Sequence, residues 1–168
     1  MEFWDIYDIN KRPTGRTMKR NDWCLKDGEY HLTVLGVVAR PDGTFLITKR
    51  VMTKAWAPGW WEVSGGAAQV GESSYDAVLR EVKEETGLDV SSAQGGYLFT
   101  YKKENPGEGR QLLCRRIPLC HGRTGRRPAP SGRGNRRPHV RHIEQIKAFA
   151  AEGKFLHYDS IQAAFQGL

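Results

Sequence analysis

A chain of 168 residues, 39% apolar and 27% charged, is long enough to bury one sizeable core and has the composition of an ordinary globular protein. No apolar run approaches the roughly 20 residues of a membrane helix, so no membrane partner is expected. The net charge of +7 would point to nucleic acid, but Arg110 to His142 holds ten arginines and no acid, which leaves the rest of the chain net acidic and disfavours nucleic acid as a partner.

Residues 1–29 are polar and turn-rich, with aromatics at Trp4, Tyr7 and Trp23. They are expected to form an N-terminal arm with at most a short strand. The opening MEFWDIYDINKR is acidic and aromatic, unlike a secretory leader. Three cysteines, Cys24, Cys114 and Cys120, make no even disulfide framework, so the expected setting is cytoplasmic. YHLTVLGVVAR is β-branched and apolar, as a buried strand would be. The turn residues Pro41 to Gly43 follow, and TFLITKR returns as an antiparallel partner. APGWWEVSGGAA is expected as a short strand between glycine-rich bends. A helix is predicted from about Ser73 to Thr86, capped by Ser73 or Ser74 and ended by Gly87. Its Tyr75, Val78, Leu79, Val82 and Thr86 recur at i, i+3, i+4, i+7 and i+11, one buried stripe. GYLFTYKK is another strand. Two short helices, in IEQIKAFAAEG and DSIQAAFQ, close the chain over residues 143–168. Strands interleaved with helices make the fold class α/β or α+β in one domain, 1–168.

The chemistry is concentrated in residues 65–88. Glu81, Glu84 and Glu85 stand at i, i+3 and i+4, so three carboxylates share one helix face. Like charges at that spacing destabilise a helix, and Arg80 cannot neutralise all three. An acidic solvated face is the plain reading. The sharper one is a hard-oxygen site for Mg²⁺ or Mn²⁺, with Glu72 as a fourth acid. Gly65 and Gly66 allow close backbone approach and offer a carbonyl. Arg50 and Lys54 are weaker candidates to meet phosphate, and Trp56 and Trp60 to stack a ring. Cys114, Cys120 and His121 lack a second ligand pair, so zinc is not inferred.

Gly66, five residues, Glu72, seven residues, then Arg80-Glu81-Val82-x-Glu84-Glu85-x-Gly87-Leu88 matches the Nudix box at every defined position. The chain therefore resembles a Nudix hydrolase from about Trp4 to Tyr101. The resemblance implies a MutT-like α/β/α sandwich with a mixed sheet. It implies cleavage of a diphosphate in a small-molecule substrate, using Mg²⁺ or Mn²⁺. It implies that Glu81, Glu84 and Glu85 bind metal, with the Gly65 carbonyl a further ligand and Glu81 also activating water. Arg80 would orient the glutamates, and Glu72 would hold the loop against the helix. A homodimer is left open. Isopentenyl diphosphate isomerases are similar too, but they need a cysteine before the box helix. WWEVSGGAAQ has none. The alternative from another class is a catalytically impaired module that binds nucleotide or nucleic acid through its arginines.

The stretch 110–142 does not suit such a fold. It carries four prolines and no acid, and no apolar alternation runs along it. It is expected to lie outside the core as an irregular segment, leaving one edge of the strand near Leu98 to Tyr101 uncovered or covered only by a poor substitute, and impairing activity. Every arginine codon has G in its second place, so a one-base shift turns arginines into Asp, Glu, Val, Ala or Gly. Shifted codons for QLLCRRIPL permit NYYVDVYL, a buried-strand pattern. Those for PSGRGNRRPHVRH permit LQEGETEDLMFAT, an acidic turn and strand. A compensated frameshift between about Gln111 and His142 is the expectation.

Overall fold

The computed structural model describes residues 1–93, 95–103, 110–118 and 138–166, the third of these by its strand and register. Its organising element is β3, Tyr30–Ala39, flanked in sequence by β1 (Phe3–Tyr7), β2 (Pro13–Lys19) and β4 (Thr44–Lys49). Nine of the ten β3 residues are buried, because both faces of the strand are covered. Leu35, Val37 and Ala39 pack with Phe45 and Ile47 of β4 against Ile146, Ile161 and Phe165. Those last three belong to α2 (Ile143–Ala151), α3 (Tyr158–Ile161) and the 3-10 turn Gln162–Phe165. Leu32, Val34 and Val38 face the other way, onto Ala77, Val78 and Val82 of α1 (Ser74–Thr86). Period-two alternation along one apolar strand thus produces the three layers of an α/β/α sandwich.

Ser73 caps α1 by accepting from the Asp76 amide at 3.1 Å, and Gly87 ends it with φ +74°. Val78, Val82 and Thr86 of the expected stripe are buried and Ala77 joins them; Tyr75 and Leu79 are half-buried. The arm is more ordered than its composition implied. β1 and β2 pair as a hairpin, Trp4 opposite Met18, and Ile6 pairs with His31 of β3. The segment after β4 is two strands, β5 (Trp61–Glu62) and β6 (Ser64–Ala67). β6 runs antiparallel to β3, with Gly65 opposite Leu35.

The expectation for 110–142 is corrected at both of its ends. Arg110–Pro118 is a strand, β8, that runs parallel to β3 from His31↔Arg110 to Ala39↔Pro118. It also pairs antiparallel with β7, Gly96–Lys103, so the edge near Leu98 to Tyr101 is covered. Pro138–His142 is β9 and pairs with β4. The physical reason lies in where the prolines fall. Ladder pairing needs backbone amides, and proline removes one. Pro118 is the last residue of β8 and Pro138 the first of β9, so neither interrupts a ladder. Residues 119–137, with Cys120 and His121, lie outside the described residues. Among the described residues no helix is long and apolar enough to cross a membrane.

Candidate active site

Packing of α1 against the sheet sets the site. Its apolar stripe turns inward onto β3, which leaves Arg80, Glu81, Glu84 and Glu85 along the margin where α1 meets β6. There Gly66 is a requirement of space. A Cβ on it would lie 2.3 Å from Glu81 Oε1, so any side chain would displace that carboxylate. The Gly65 amide donates to Glu85 Oε2 at 3.3 Å.

Arg80 ties the helix to the loop before it. Its Nε and Nη2 donate to the two oxygens of Glu72 at 2.7 and 2.9 Å, a bidentate pair. Nη2 also reaches the Ala67 carbonyl at 3.0 Å, and Nη1 reaches Glu81 Oε1 at 2.7 Å. Glu84 Oε2 stands 3.7 Å from the same guanidinium. Glu72 further accepts from the Gln69 amide at 2.8 Å. Burial pushes the Glu72 carboxyl up, but the hydrogen bonds from Arg80 and Gln69 and the Arg80 charge hold it below its ordinary value. Glu81 goes the other way: burial raises it, the Arg80 contacts oppose this only in part, and the charges of Glu84 and Glu2 add to the rise. The same carboxylates hold the Arg80 guanidinium firmly protonated.

Glu81, Glu84, Glu85, Gly65 and Gly66 line one cleft of about 460 Å³. Among the described residues no three His, Cys, Asp or Glu side chains stand gathered as a ready ligand set. Arg80 engages one oxygen of Glu81. The donor chemistry nonetheless fits a hard divalent ion. All the side-chain donors are carboxylate oxygens, and the glycine edge leaves the carboxylates room.

Arg50 and Lys54 line the same cleft. Arg50 is anchored by Glu62 at 3.1 Å and by the Trp56 carbonyl at 3.0 Å. Trp56 and Trp60 do not line it. Trp56 is 53% exposed and stacks outside on Arg50, with the guanidinium 5.2 Å from its ring centre. Trp60 is half-buried. The sequence reading did not place the arm here, yet Glu2, Trp4, Arg20, Asn21 and Trp23 reach the cleft, with His31 and His157. The aromatics were visible in the sequence, but only the β1–β3 pairing brings them to the glutamates.

The family model described as NUDIX domain matches residues 29–141. The Nudix hydrolase lmo0368 of Listeria monocytogenes is 28% identical over 98% of this chain and 94% of its own length. The isopentenyl-diphosphate Delta-isomerase of Escherichia coli is 32% identical over 56% of this chain, and that match spans only 52% of the isomerase. Among solved structures, DR0079 of Deinococcus radiodurans superposes with a TM-score of 0.68 over 91% of both chains, at 20% identity. A family match across two thirds of the sequence, on a fold shared with that structure and with Gly66, Arg80, Glu81, Glu84 and Glu85 of the box lining one cleft, establishes that this chain belongs to the Nudix family.

Proposed function

We propose that the chain is a divalent-metal-dependent hydrolase that cleaves a diphosphate linkage in a nucleoside-diphosphate-linked or related substrate. The observation that carries this reading is one cleft lined by three glutamates of α1, the Gly65–Gly66 edge, Arg50 and Lys54. A diphosphate and a carboxylate cluster repel each other, so they share a site only through a cation. Bound Mg²⁺ or Mn²⁺ would lower the pKa of water and spread charge off the phosphoryl oxygens.

The chain's own groups divide the remaining work. Glu81, Glu84, Glu85 and the Gly65 carbonyl would hold the ion. Glu81, aligned by Arg80 and given room by Gly66, takes the proton of the attacking water. The water oxygen bonds to phosphorus, the bridging P–O bond breaks, and the displaced phosphate leaves with the bond's electrons. Arg50 and Lys54 pair with the diphosphate oxygens. Arg80 and Glu72 keep the loop seated on the helix. Isomerase chemistry is not favoured, because residues 60–69 contain no thiol. The test is a panel of nucleoside triphosphates, nucleotide sugars, ADP-ribose and prenyl diphosphates, run with Mg²⁺ and with chelator. A monophosphate product that requires metal and falls by orders of magnitude in Glu81→Gln is expected. Equal turnover in chelator overturns the mechanism.

The arginine-rich stretch is best read as out of frame between about Gln111 and His142. The codon argument carries this; β8 bears on it only by showing that the backbone slot is filled. Sequencing the coding DNA from Lys103 to Gln145 should reveal compensating single-base changes at the two ends of the window. An unbroken frame in close homologues with the same arginines sinks the idea.

A further inference from the structure

Residues 1–28 lie outside the stretch that the family model matches, yet they build a wall of the cleft. Just after β2 the backbone passes through Asn21 at φ +69° and Trp23 at φ +48°. Two left-handed non-glycine residues within three positions are held there only by their surroundings. For Trp23 the surroundings are aromatic. Its ring meets His31 edge-on at 5.6 Å and 62°, and Trp4 at 6.0 Å and 58°. Trp4 in turn lies flat on His31 at 4.8 Å and 15°. All three line the cleft, but Trp4 and His31 are buried whereas Trp23 is half-buried. A ring needed only for the core would be covered like the other two. The neighbours on the same wall are polar: Asn21 is exposed, and Arg20 is held at the rim by Glu2 at 2.8 Å. Glu2 also accepts from the Trp4 indole at 2.7 Å, which couples the rim to the buried pair.

We propose that Trp23, buttressed by Trp4 and His31, is the platform on which a planar heteroaromatic ring of the substrate stacks, with Arg20 and Asn21 meeting the polar edge of that ring. The N-terminal arm thereby selects ring-bearing diphosphates over alkyl diphosphates of the same charge. Every nucleobase presents a π-face to an indole, while a branched alkyl chain does not. This inference rests on the reading of the cleft as a diphosphate site. It adds to it the residues that choose between the nucleoside and prenyl classes.

The experiment compares wild type with Trp23→Ala, Trp23→Leu and Trp23→Phe. Near-ultraviolet circular dichroism and melting establish which variants fold. Steady-state kinetics are measured on ADP-ribose and on geranyl diphosphate. Trp23→Ala should raise KM for ADP-ribose by roughly 10- to 100-fold with kcat little changed, leave geranyl diphosphate unaffected, and be partly rescued in Trp23→Phe. If Trp23→Ala does not fold, Trp23→Leu and Trp23→Phe carry the comparison. In parallel, equilibrium binding of AMP, CMP and geranyl monophosphate is measured with Mg²⁺ present. Loss of nucleotide affinity alone supports the platform. Equal loss for all three ligands, or no loss, overturns it. A wild type that hydrolyses no diphosphate refutes the hydrolase reading by itself, and the binding arm still decides the role of Trp23.

Discussion

Glu72 and Glu81 sit on the same guanidinium and titrate in opposite directions. Glu72 is held low, so its stabilising contribution is complete above the unfolded value of about 4.3 and is lost as pH falls through the lower folded value. Acid titration of unfolding free energy should therefore lose its slope in that window in Glu72→Gln, and a curve that superposes on wild type removes Glu72 from the clamp. Glu81 is raised, so its ionised form is disfavoured by folding, and the stability it contributes when protonated is lost as pH rises through its folded value. Glu81→Gln should then melt higher than wild type at neutral pH without metal, while turnover falls by about 10²-fold or more. A variant that melts lower would mean the Arg80 hydrogen bond outweighs the burial penalty.

The box helix is specified locally, which is why its limits were legible to within one residue. Ser73 supplies the cap, Gly87 the stop, and the i, i+3, i+4 pattern the inward face. Removing the cap in Ser73→Ala should cost about 1 kcal/mol in urea unfolding; a change below a few tenths would show that Asp76 or water replaces it. β8 is the contrary case. Its residues carry charge where a buried strand would not, and composition alone argued for an irregular segment. What decides a strand is whether its amides can pair, and between Arg110 and Ile117 no proline prevents it. Register then sets Arg116 beside Val37, which has no exposed surface.

At the scale of the molecule, the cleft gathers residues from the arm, β3, the β4–β5 loop, β6, α1 and the start of α3. An ion held by the α1 glutamates and the Gly65 carbonyl would bind the folded state alone, so its free energy would add to stability. At a hundredfold excess over Kd this is about 2.7 kcal/mol, or roughly 5–10 °C in Tm for a chain of this size. Thermal melts with millimolar Mg²⁺ or Mn²⁺ should show that rise, chelator should abolish it, and Glu85→Gln should reduce it. No shift with either ion would exclude these carboxylates as a metal site.

The box, its helix, the shared face of Glu81, Glu84 and Glu85, and the buried strand at Tyr30–Ala39 could all be read from the order of residues. Each follows from spacing within one element, where 3.6- and 2-residue periods place side chains without reference to the rest of the chain. Folding in three dimensions was needed to show that Arg80 spends its donors on Glu72, Ala67 and Glu81 together, that Trp56 and Trp60 stay out of the cleft while Trp23 and His31 enter it, and that β8 pairs with β3 and β7. Those outcomes depend on contacts between residues tens of positions apart, formed when backbone amides of distant strands find partners, and no local period records them.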